Sequence, residues 1–238
     1  MTLTLCSDLS AAGWLTASDG RWEELVCFGP AGFPAYARLR FIPDPAYEGQ
    51  SENDVDLDEE ALSETAQLRM VLEVLSRYTR TPSDCYFCVW DGWGLHEISG
   101  PRTSDARTDA TGADPRTDPS FGSLRPLEAV PAVDSSLLPP VLREAMVVVP
   151  NRSYLLFHGA VADLGERGSA TRWPGQPSLA TADPAFIWPA DQAWCVANDV
   201  DPHWAGIGAA ASAIAQLVAH PRVDVVPADR RAHQPRYQ

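Results

Sequence analysis

The chain has 238 residues, enough for one large domain or two small ones, and with 45% hydrophobic residues it can bury a sizeable core. Its net charge of −14 repels nucleic-acid phosphates and anionic membranes, and no apolar run approaches the roughly eighteen residues that span a bilayer. All 18 basic residues are arginines, which excludes P-loop, Schiff-base and kinase-type lysine chemistry.

The first ten residues lack a basic stretch and carry Asp8, so they do not read as a secretion signal, and a cytoplasmic location is expected. Ser18 or Asp19 can cap a first helix from Trp22 through Leu25 and Val26, stopped near Gly29-Pro30. Residues 36–42 alternate Tyr36, Arg38 and Arg40 with Ala37, Leu39 and Phe41, as in a half-buried strand closed by Pro43 and Pro45. An acidic run follows, with Glu52, Asp54, Asp56, Asp58, Glu59 and Glu60. It precedes a helix predicted over 62–78, whose apolar face is Leu68, Val71, Leu72, Leu75 and Tyr78. The acids then sit at the positive end of that helix, and Arg77 and Arg80 at the negative end.

Residues 85–90 read as a strand, and Asp91-Gly92 as a turn from which 93–98 returns antiparallel. Between 100 and 123 the only large apolar residue is Phe121, and this stretch is expected to be a disordered insertion. Residues 145–149 and 154–158 suggest two strands across a turn at Pro150-Asn151, and 186–188 and 193–197 suggest two more. A buried, alanine-rich helix is predicted over 206–220, then a last strand over 223–226 and a frayed polar tail over 229–238. Together these elements make one α+β domain over 1–228, a mostly antiparallel sheet packed with about three helices.

Cys85 and Cys88 form a CxxC, but in a strand positions i and i+3 face opposite sides, so the two thiols should not meet. The five cysteines are an odd number, which argues against a disulfide framework. Gly206-x-Gly208-x-x-Ala211 matches a dinucleotide fingerprint, yet the segment before it is polar and too little chain follows to complete a doubly wound sheet. Asp54-x-Asp56-x-Asp58 lacks the glycine and glutamate that a calcium loop needs at its sixth and twelfth positions. Asp199, Asp201 and His203 alternate, so an extended segment would point two carboxylates and an imidazole the same way, as a divalent metal site requires.

Eight tryptophans are many for this length, and Trp188, Asp191, Trp194 and Trp204 fall within one short stretch. Most indoles fill cores, but aromatics beside carboxylates also build binding surfaces, and these four are the candidate binding residues.

The stretches Gly32-Phe33-Pro34-Ala35-Tyr36-Ala37-Arg38, Trp90-Asp91-Gly92-Trp93-Gly94, Arg152-Ser153-Tyr154-Leu155-Leu156 and Trp188-Pro189-Ala190-Asp191-Gln192-Ala193-Trp194-Cys195-Val196-Ala197 resemble those of an uncharacterised family of soluble proteins from high-GC actinobacteria. Arginine without lysine, with abundant alanine and proline, suits a GC-rich genome. The resemblance implies origin, solubility and a single domain, and carries over no catalytic roles.

The expected function is a non-enzymatic protein- or ligand-binding domain without a cofactor, whose acidic body engages a basic protein partner rather than nucleic acid or a membrane. The alternative is a metal-assisted hydrolase using Asp199, Asp201 and His203, with Asp191 nearby.

Overall fold

The computed structural model describes residues 3–56, 61–90, 96–97, 145–164, 170–171, 179–180, 183–198 and 202–238. The expected insertion at 100–123, the Asp91-Gly92 turn, Asp58, Asp199 and Asp201 lie outside the described residues.

The core of the structure is an antiparallel sheet. Its strands are β1 (Thr4–Leu5), β2 (Ala35–Arg40), β3 (Cys85–Trp90), β5 (Val147–Val149), β6 (Arg152–Gly159), β9 (Phe186–Pro189), β10 (Cys195–Ala197), β11 (Trp204–Ala209) and β12 (Val225–Pro227). The spatial order is β1-β6-β3-β9-β10-β11-β2-β12, and β5 also pairs with β6. A separate small sheet joins β4 (His96–Glu97), β7 (Ala170–Thr171) and β8 (Leu179–Ala180). Every pairing is antiparallel. The α+β class expected from the sequence is therefore what the chain adopts. The described residues contain four helices where about three were expected: α1 (Gly13–Thr16), α2 (Trp22–Phe28), α3 (Glu64–Leu75) and α4 (Ala211–Val218).

Helices cover both faces of the sheet. On one face α3 and α4 bury Leu68, Leu72, Leu75, Ile214 and Leu217 against Leu39, Phe87, Phe157, Ile187, Val196 and Ile207. On the other, α1 and α2 bury Leu15, Leu25, Val26 and Phe28 against Cys88, Tyr154, Leu156, Phe186, Trp188 and Trp204. Successive residues of a strand point to opposite faces, so a sheet covered on both sides buries every position of its central strands. Each residue of β9, β10 and β11 is buried accordingly.

The local reasons are visible in each helix. The apolar stripe predicted for the long helix drives α3, whose Ser63 side chain accepts from the Ala66 amide as an N-cap and whose last turn tightens into a 3₁₀ turn over Ser76–Tyr78. Helix α2 begins after Arg21, without a side-chain cap from Ser18 or Asp19, and ends at Gly29, whose φ of 73° only glycine adopts freely. The hairpin of β5 and β6 turns at Asn151, with φ 64°.

Two segments differ from the sequence expectation. Of the segment 93–98 only His96 and Glu97 are described, and they pair with Ala180 and Leu179, while β3 lies between β6 and β9. The helix predicted from Gly206 starts at Ala211, because Trp204–Ala209 is a strand between β10 and β2. Gly206 and Gly208 serve close packing there. A side chain on Gly206 would meet the Cys27 carbonyl, and one on Gly208 the Phe33 ring.

Candidate functional site

The candidate binding tryptophans are core residues. Trp188, Trp194 and Trp204 are 1%, 0% and 1% exposed. Trp188 stacks on Tyr86, with ring centroids 5.7 Å apart, and meets Trp14 edge-on at 6.0 Å. Trp204 lies against Phe28, and the Arg38 guanidinium sits 5.4 Å above its ring. Trp194 belongs to the opposite core layer. The stretch therefore forms no surface patch: strand alternation sends its indoles to both faces, and helices cover both.

Asp191 occupies the turn between β9 and β10. Its carboxylate accepts from the Thr79 hydroxyl at 2.6 Å, from the Arg80 amide at 2.9 Å and from the Ala193 amide at 3.3 Å. The Asp191 amide in turn donates to Thr81 Oγ1. Burial alone would raise its pKa, but these hydrogen bonds outweigh burial and lower it. Asp191 thus ties the β9–β10 turn to the segment leaving α3, so its carboxylate is committed to structure.

His203 is part of a polar network at one end of β2. Its imidazole Nε2 lies 3.1 Å from Asp44 Oδ1, and its side chain is 1% exposed. Arg38 donates to both Asp44 oxygens, at 2.6 and 3.0 Å, and Arg40 bridges Asp44 to Asp224. Burial would raise the Asp44 pKa, but donors from Arg38, His203 and Arg40 bring it down to about 2. Asp44 is therefore an acceptor at neutral pH, and His203 Nε2 carries the proton between them. Burial lowers the His203 pKa more than Asp44 raises it, which keeps the ring neutral. The metal reading asked His203 to converge with Asp199 and Asp201. Asp199 and Asp201 lie outside the described residues, and the His203 Nε2 lies against Asp44.

The tail expected to fray is docked over this network. Trp204 Nε1 donates to the Pro235 carbonyl at 3.3 Å, and Tyr237 packs edge-on against His203 at 4.8 Å. The Tyr237 hydroxyl donates to the Pro43 carbonyl at 2.6 Å, and the Gln238 amide donates to the Gln50 carbonyl. A polar composition suggested fraying, but the buried indole N–H needs an acceptor, and the tail backbone supplies it.

Sequence reasoning missed one grouping. Glu64, at the start of α3, is raised above the usual carboxylate range by desolvation, then by the charges of Asp183 and Glu52. Asp183 is itself raised by burial, although Thr65 Oγ1 lies 3.1 and 2.9 Å from its two oxygens. The charge of Glu52 also acts on His203 and Tyr237. No arginine among the described residues pairs with Glu52, Glu64 or Asp183. Asp54 is excluded from this grouping, since it caps its own 3₁₀ turn through the Ser51 amide. The acidic run was legible as a helix-end feature, but Asp183 joins it only through the fold, from 118 residues beyond Thr65.

No family model matches this chain, and no curated protein and no solved structure matches it significantly. No helix among the described residues is long and apolar enough to cross a membrane.

Proposed function

We propose that this chain is a non-catalytic binding domain that engages a basic protein partner through the carboxylates of Glu52, Glu64 and Asp183. The observation that supports the reading is Glu64, which is raised by desolvation and then by the charges of Asp183 and Glu52, while none of the three acids has an arginine beside it among the described residues. A partner's arginine or lysine placed among them relieves that repulsion, so electrostatic complementarity sets both register and association rate. The net charge of −14 extends the same attraction over the whole molecule and steers the approach.

The strongest polar side chains elsewhere are occupied by the fold itself. Asp44 holds Arg38, Arg40 and His203, and Asp191 holds Thr79 and Arg80. The hydrolase alternative leans on His203, whose Nε2 is already given to Asp44, and no specific observation favours it.

The test uses a fluorescent arginine-rich peptide and follows anisotropy against salt. The expected result is saturable binding that weakens steeply with ionic strength and drops about tenfold in the Glu52→Gln, Glu64→Gln double variant. Substituting the distant exposed acids Asp19 and Glu73 in the same way is the control. An equal loss from both pairs would reduce the effect to net charge and remove the proposed site.

A further inference from the structure

We propose that the cleft between α2 and the C-terminal segment binds a small oxyanionic ligand of the phosphate class. The cleft has a volume of about 350 Å³ and is lined by Arg21, Glu24, Phe28, Arg231, His233 and Arg236, among others. That volume lies at the lower end of small-molecule sites and suits a ligand the size of pyrophosphate or a short phosphate ester.

The charges of the cleft do not cancel. Glu23 is taken by Arg21 at 2.8 Å, and Glu24 by Arg230 at 3.5 Å. Arg231 and Arg236 remain, and neither has a carboxylate partner. Arg236 reaches only the Cys27 sulfur, at 3.4 Å, which is a weak acceptor. Arg230 is anchored on the Gly29 carbonyl at 3.4 Å and over the Tyr36 ring, yet its buried Nε–H has no acceptor. Unmatched guanidinium donors therefore gather in one concave site of a strongly acidic chain. An anion is the group that matches them, because two planar forks present parallel N–H donors to the oxygens of a tetrahedral oxyanion.

The fold also holds the site in place. Phe28, 1% exposed, lines the cleft from the core side and roots it on α2. The hydrogen bond from Trp204 to Pro235 fixes the backbone immediately before Arg236. This site shares no residue with the carboxylate group of Glu52, Glu64 and Asp183, so the two proposals stand or fall separately.

Isothermal titration with pyrophosphate, inorganic phosphate and citrate at constant ionic strength tests the assignment. Pyrophosphate is expected to bind with one site and a Kd under about 1 mM. Arg231→Gln and Arg236→Gln, singly and together, should weaken it about tenfold or more, whereas Arg77→Gln in the 3₁₀ turn after α3 should leave it unchanged. Arg231 and Arg236 are exposed, so the variants should keep the parent melting temperature, which the same samples report. No saturable binding of pyrophosphate, or binding that survives the double substitution, overturns the site. Citrate binding as tightly as pyrophosphate overturns the phosphate class.

Discussion

The Gly206 α-carbon lies directly beneath the Cys27 carbonyl, so close that a β-carbon there has no room beside the α2 backbone. Backbone cannot move aside as a flexible side chain can. Gly206→Ala should therefore destabilise the protein by about 3 kcal/mol or more, or prevent folding. Gly13→Ala, with open space around its added methyl in the first turn of α1, should stay within about 1 kcal/mol of the parent or gain stability. Urea midpoints of the two variants check the contrast.

Trp188 and Trp194 carry weight in packing. Trp188→Ala and Trp194→Ala should each lower unfolding free energy by about 3–5 kcal/mol. Thermal unfolding shows it directly. A variant of either residue that kept the parent midpoint would contradict their place in the core.

Much of the fold was legible because local patterns and tertiary demands agree. The stripe of Leu68, Val71, Leu72 and Leu75 became α3, and Cys85 and Cys88 fell in opposite core layers as strand alternation requires. The WPADxAWCVA stretch became β9, its turn and β10. The failures came where burial is decided at long range. Indoles beside acids look the same in sequence whether one face of a sheet is covered or both. The two glycines at 206 and 208 resemble a dinucleotide fingerprint until the α2 backbone at Cys27 and the Phe33 ring packed on them are known. Asp183 had no signal at all, since its neighbours at Thr65 and Glu64 come from a distant part of the chain.

Asp44 links stability to pH. Its pKa is about 2 in the fold and about 3.9 in an unfolded chain. A depressed carboxyl stabilises the native state above its unfolded pKa, and that share is lost as pH falls through the folded value. The expected loss is about 2 kcal/mol between about pH 4 and pH 2. Asp44→Asn should flatten that part of the curve, and denaturant midpoints measured across the range read the difference.

The thiols should be slow to react. Burial, with nearby acids adding, pushes Cys85 up to about 12 and Cys6 up to about 11, and Cys88 and Cys195 are raised by full burial. In a native sample at neutral pH, a disulfide reagent should modify half-buried Cys6 first and the other four on the timescale of unfolding. Mass spectrometry of labelled peptides orders them. Rapid joint oxidation of Cys85 and Cys88 would contradict their placement on opposite faces.

The proposed binding surface is tested most directly by amide chemical shifts during titration with an arginine-rich peptide. The account predicts saturable shifts centred on Glu52, Asn53, Glu64 and Thr65, with Asp8, Asp19 and Glu73 little changed. Shifts spread evenly over all exposed acids, or centred away from the start of α3, would contradict it.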